Sequence, residues 1–245
     1  MQFILILVIA ILILVVLFFV NIAVKHLAVQ SSMETDLKQE QQEAHEETYV
    51  FELSDSNRLS DNDLKYILPA ANMAINEEYT IDSLTTGESK QSLSGIGKSW
   101  GIIDHDTAVE TIENLLLYPS EYLLDMQDEG YPEFVNYLIE KKILVSAEKS
   151  VGTIIAWDLV RAINLARMCH DLEYLSEAET WRYIKAAYGR LEKELSFKSW
   201  DDIGISFLFG RFLHFGHGCG TYRHTEVMRL LLKHPDSIWK KYPWK

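Results

Sequence analysis

Twenty-two consecutive residues near the start of the chain, Phe3 to Val24, contain one polar side chain, Asn21. As a helix this run is roughly 33 Å long, against about 30 Å for the hydrocarbon core of a bilayer. Leu, Ile, Val and Phe cover every face, with none of the polar stripe that a helix of a water-soluble domain shows to solvent. A secretory signal would need a basic start, a shorter apolar stretch and a small-residue cleavage site. Here Met1-Gln2 precedes the run with no Lys or Arg. The segment therefore reads as an uncleaved single-pass anchor that meets the lipid bilayer through residues 3–24. Lys25 and Lys38 follow it, and only the α-amine precedes it. That imbalance places the C-terminal part on the cytoplasmic side.

Three segments follow from composition: an anchor over 1–28, an acidic linker over 29–60 and a helical domain over 61–245. The formal net charge is −13, and Ser31 to Asp63 holds ten acids against Lys38 and Arg58, a surplus of eight. The acidity thus belongs mainly to the tether. A chain so short of Lys and Arg is not suited to nucleic acid, whose binding requires cations to replace phosphate counterions. The two cysteines, Cys169 and Cys219, are too few for a disulfide framework and favour a reducing compartment.

From Asn62 onward the apolar residues recur at helical spacing, and nothing reads as a parallel sheet. Thr48 to Leu53 alternates enough for one short strand. Pro69 marks a break, and Thr85 to Ser99, rich in Gly and Ser, reads as a loop. That loop ends in Gly97-Lys98-Ser99, but a phosphate-binding loop would also need glycine where Ser92 stands. Helices are expected over 106–118, 121–128, 132–142, 151–172, 176–195, 199–217 and 224–234. Ser176 with Glu179 forms a capping box, and Ser199 can cap the helix that follows it. The fold class is mainly α: a multi-helix globular domain tethered by one N-terminal transmembrane helix.

Several separated motifs occur in order: AWDLVRAINLARM (156–168), SEAETW (176–181), FKSWDDIG (197–204), FGR (209–211) and DSIWKKYPW (236–244), with WGI (100–102) upstream. Together they resemble the bacterial domain of unknown function 1266 family over about Trp100 to Trp244. The resemblance implies a helical fold and no established activity. It also implies a bacterial source, which makes the inner (cytoplasmic) membrane the expected site of the anchor.

Two side-chain sets invite a site. Trp157, Asp158, Arg161, Asn164 and Arg167 share the long central helix, and Arg211 lies midway along another very apolar one, from which it can dock on Asp158. They read either as a pocket for a small acidic ligand, which an arginine fork suits, or as a buried ion-pair network that fixes helix register. His214, His217 and Cys219 could supply metal ligands, yet their spacing matches no zinc pattern, and an ordinary helix end explains them better. His224 lies just beyond. Trp157, Trp181, Trp200, Trp239 and Trp244 read as docking anchors, and the basic, aromatic tail is also compatible with lipid head groups. No catalytic residue and no cofactor is assigned. The expected role is a non-enzymatic module that binds a protein partner, with an immunity- or inhibitor-like function raised by charge and analogy. An enzyme or small-ligand domain using the Asp/Arg pocket or the His/Cys cluster is the alternative.

Overall fold

The computed structural model describes residues 57–117, 119, 130–146, 153–216 and 218–244. By its internal contacts the chain divides into Met1–Glu47 and Thr48–Lys245, and every described residue lies in the second unit. The anchor, most of the linker, the short strand and the helix expected over 121–128 fall outside the described residues. Among those described, no helix is long and apolar enough to cross a membrane.

Every regular element among the described residues is helical. Helix α1 (Asp61–Ile67) starts where the Ser60 hydroxyl accepts from the backbone N–H of Asp63. Pro69, which has no N–H to continue an α-helical ladder, tightens Leu68–Ala70 into a 3-10 turn before α2 (Ala71–Asn76). The Gly/Ser-rich stretch is not a plain loop. It forms two short helices, α3 (Lys90–Leu93) and α4 (Ile96–Trp100), because Leu93 and Ile96 bury their side chains and Ser89 caps the first of them.

Helix α5 (His105–Leu117) is capped by Asp104, whose carboxylate accepts from the Thr107 N–H at 3.0 Å. Helix α6 (Tyr131–Glu140) opens on Gly130 at φ 77° and carries Pro132 in its first turn. The central α7 (Ile155–Asp171) buries residues on nearly every face. Helix α8 (Glu177–Lys193) begins with the reciprocal Ser176–Glu179 capping box, and α9 (Trp200–Phe215) with an equivalent Ser199–Asp202 box. Helix α10 (Cys219–Lys233) starts five residues earlier than its apolar spacing suggests. Gly218 serves as N-cap, and Thr221 ties the new first turn back to the Gly216 carbonyl. The short α11 (Ile238–Lys241) closes the domain.

Helix α7 is the hub, packed against α8, α9 and α5. The α7–α9 approach is set by Gly210, where a methyl group would overlap Trp157 Cβ and lie 2.8 Å from Trp157 Cγ. Phe134 fixes α6 to α9, stacking on Phe212 at 4.6 Å and meeting Phe209 edge-on at 5.4 Å. Fully buried, such a ring contributes roughly 2–3 kcal/mol.

The tryptophans close the structure. Trp200 stacks on Trp239 at 4.7 Å and meets Trp244 edge-on at 5.1 Å. Each indole N–H donates to a backbone carbonyl: Trp200 to Tyr242, Trp239 to Leu68 and Trp244 to Phe197. They anchor the C-terminal segment to α1's end and to the α8–α9 turn.

Candidate functional site

Helix α7 carries two arginines in opposite circumstances. Arg167 is fully buried, and its guanidinium donates to the carbonyls of Thr80 (2.6 Å), Thr85 (2.9 Å) and Leu84 (3.3 Å). Burial pushes its pKa down to about 10, offset in part by Asp171, Tyr79 and Asp82. Asp171, one turn on, accepts from the Thr86 N–H at 2.7 Å and hydroxyl at 2.5 Å. Together they pin the irregular segment 79–88 to the hub. Arg167 is a structural staple.

Arg161 behaves differently. It pairs with buried Asp158 one turn earlier. The guanidinium carbon sits 4.3 Å from the Trp157 ring centroid and 4.9 Å from that of Trp100. Arg211, from α9, lies 5.9 Å from the Trp157 ring and 4.9 Å from Phe215. The result is a ladder of alternating rings and guanidinium groups: Trp100, Arg161, Trp157, Arg211, Phe215. Such cation–π stacking holds a guanidinium by its faces and leaves its N–H edges for in-plane hydrogen bonds.

Those edges are underused. Trp157 Nε1, Arg161 Nε, Asn164 Oδ1 and Arg211 Nε are all buried without a hydrogen-bond partner among the described residues. Trp157 and Asn164 are each only 2% exposed. Asn164 offers its amide to the Met168 sulfur at 4.0 Å, a weak contact. Burial lowers the pKa of both arginines. Asp158 counters this for Arg161; for Arg211, Glu77 counters it and the Arg161 charge adds to it. The Arg211 chain lies against the rings and against Gly220, where a methyl group would overlap Arg211 Nη2 and lie 3.1 Å from Cζ.

The histidines divide in the same manner. His214 is exposed, with Nδ1 on the Gly210 carbonyl of its own helix at 2.8 Å and its ring 5.7 Å from Trp157. His217 and the Cys219 side chain fall outside the described residues, and no cluster among those described could hold a metal. His224 is buried. Asn72 donates to the His224 carbonyl at 2.8 Å, so its Oδ1 faces the imidazole at 2.6 Å and Nδ1 must carry the proton. Burial, together with the charges of Arg211 and Arg223, holds this imidazole neutral, far below its ordinary pKa. Cys169 is free and buried, its thiol pushed up to about 12 by burial.

Sequence reasoning missed Trp100, Gly210 and Gly220. Gly210 carries a signal: it is a glycine inside an expected helix, where it costs about 1 kcal/mol against alanine unless something packs close; Gly220 falls where the sequence reads as a turn. Trp100 could not be found that way, since its place beside Arg161 depends on the fold of α4.

The family model described as a protein of unknown function (DUF1266) matches residues 120–244. The match thus begins downstream of the Trp100 motif. No curated protein and no solved structure matches the chain. With just over half of its 245 residues matched, and with the helical architecture above, the chain belongs to the DUF1266 family.

Proposed function

We propose that this chain is a membrane-tethered, non-catalytic interaction module whose helical domain captures an acidic group of a protein partner between Arg161 and Arg211. The observation that carries the reading is the guanidinium–indole ladder. Two arginines are held on aromatic faces, Arg161 paired with Asp158, and each keeps a buried Nε–H with no partner among the described residues. Phe215, 61% exposed at the open end of the ladder, adds apolar surface beside the cations, as a protein partner requires.

The anchor over residues 3–24 restricts the search for that partner to a membrane surface, and the two flanking lysines favour the cytoplasmic face of the inner membrane. An affinity for basic partners, such as an inhibitor-like role implies, attaches to the acidic linker; the ladder itself selects acids.

The test uses the full-length chain in detergent micelles, titrated at low salt with peptides ending in Asp, Glu or phosphoserine and with their neutral counterparts. Acidic peptides should raise the melting temperature and neutral ones should not, with the difference lost in Arg211→Ala and shrinking as salt is added. Equal responses to acidic and neutral peptides would refute the reading. Separately, alkaline extraction of membranes should leave the full chain in the pellet; its release to the supernatant would remove the tether.

A second reading, a small acidic ligand enclosed in the same place, is favoured by the depth of the Trp157 Nε1 donor. It predicts binding of small carboxylates without any peptide context.

A further inference from the structure

The closing tryptophans leave a hollow of about 270 Å³ open to solvent. Trp200, Trp239, Trp244 and Pro243 wall it, with Lys198 and Lys240 among its lining side chains. Sites for drug-sized ligands run to roughly 300–1,000 Å³, so this one suits a single large side chain. All three indole N–H groups are spent on backbone carbonyls, and the indoles can offer only ring surface. Both lysines are exposed, and neither has an ion-pair partner among the described residues. Asp201 also lines the hollow, but it stands in the first turn of α9, where the positive helix end offsets it. The hollow therefore suits an apolar ring flanked by acids, and it offers a polar head group few donors.

The first described residues lie beside it. Arg58 donates to the Tyr242 hydroxyl at 3.3 Å, while the Tyr242 carbonyl accepts from Trp200 Nε1 at 2.8 Å. Tyr242 directly precedes Pro243 and Trp244 in the hollow's wall. Upstream of Asn57 the sequence from Thr48 to Ser56 reads TYVFELSDS. Tyr49 and Phe51 are the only aromatic residues between Lys25 and Ser56, and Glu52 and Asp55 follow with no base between Thr48 and Ser56. In an extended chain Tyr49, Phe51 and Leu53 share one face. The seven residues from Phe51 to Arg58 can span up to roughly 25 Å, well beyond the Tyr242 side chain that stands between Arg58 and Pro243.

We infer that this hollow is a docking site for the chain's own Thr48–Asp55 stretch, with the Phe51 ring against the tryptophans and Glu52 and Asp55 beside Lys198 and Lys240. The inference is independent of acid capture at Arg161 and Arg211, and both docking partners belong to the second unit of the chain. A weak contact suffices, because so short a connection presents the segment at an effective concentration in the millimolar range. Docking would fasten the end of the linker to the last residues of the domain, and any outside occupant would have to displace Phe51.

The test uses the full-length chain in micelles, with Phe51 replaced by the photo-reactive p-benzoylphenylalanine and the adducts mapped by mass spectrometry. Irradiation should link position 51 to residues 198–201 or 231–244 of the same molecule, with a yield independent of protein concentration. Lys198→Glu and Lys240→Glu, both at exposed positions, should each lower that yield by up to about fivefold, and added salt should lower it as well. Because the probe is bulkier than phenylalanine, 5-fluorotryptophan NMR provides a second measurement. Phe51→Ala should shift the resonance of Trp200, Trp239 or Trp244 and leave that of Trp157 in place. Cross-links that grow with protein concentration would give the hollow to a second copy and overturn the inference. Adducts to detergent or lipid alone, with the tryptophan resonances unshifted by Phe51→Ala, would give it to an outside occupant and overturn it too. Yields indifferent to both lysine reversals and to salt would overturn the pairing of the acids with Lys198 and Lys240.

Discussion

Gly210→Ala sets two known effects against each other. In an exposed helix interior, alanine for glycine is favourable by about 1 kcal/mol. At Gly210 the new methyl group would overlap Trp157 Cβ, stand 2.8 Å from Trp157 Cγ and 3.4 Å from the Ile154 carbonyl. Trp157 Cβ is one bond from the backbone and cannot swing away by a rotamer change, so α9 must separate from α7. Forcing an extra carbon into a packed helix contact typically costs about 1–3 kcal/mol. That separation also loosens the Trp157–Phe207 contact at 5.2 Å. The net expectation is a loss of about 1–2 kcal/mol. Gly189 is the internal control. It lies inside α8 with nothing within 4 Å of the point where a methyl group would stand, so Gly189→Ala should gain up to about 1 kcal/mol. For a domain of this size each kcal/mol moves the melting temperature by about 2–4 °C. Thermal unfolding followed by near-ultraviolet circular dichroism should therefore show the two substitutions shifting the midpoint in opposite directions. A Gly210→Ala protein that melts with or above the parent would refute the claim that this glycine sets the α7–α9 distance.

Arg167→Leu should cost about 3–5 kcal/mol and expose segment 79–88 to limited proteolysis, since three carbonyls of that segment lose their buried donor; a protected segment would count against the staple. His224 has its folded pKa pushed well below 6.5, so the unfolded chain takes up the proton first. Its contribution to stability is intact above pH 6.5 and lost as pH falls below it, and His224→Gln should flatten that part of the stability–pH curve. His105 has the opposite sign. Asp106 and Glu179, each at 3.0 Å, raise its pKa, so its contribution is full below about 6.5 and fades as pH climbs through the raised value. Glu179→Gln should lower the His105 pKa measured by NMR, and no change would show that the contact is not kept in solution.

The parts of this fold legible in sequence were those written in local chemistry. Ser176 with Glu179 is a capping box because both partners lie within one turn, and Pro69 breaks a helix wherever it sits. The helices of the Gly/Ser-rich stretch were hidden because their stability comes from Leu93 and Ile96 reaching a core that the local pattern does not display. The start of α10 was hidden by its own glycines, which read as a stop for α9 and are also the approach to the next helix. Asp158 and Arg161 were visible as a pair because they are three residues apart. The position of Arg211 was not, since its neighbours Trp157 and Gly220 are brought to it from opposite sides of the chain.

The tryptophan-rich tail has a consequence for the order in which the protein can be made. Trp239 reaches Leu68, and Tyr242 reaches Asp61, at 2.9 and 2.6 Å, so the domain's first helix is completed by some of its last residues. During translation α1 must wait, unsealed, for partners that lie 171 and 181 residues further along the chain. Nascent chains stalled before Ile238 would keep Leu68 and its neighbours open to water and to chaperones, and those released after Trp244 would close around them.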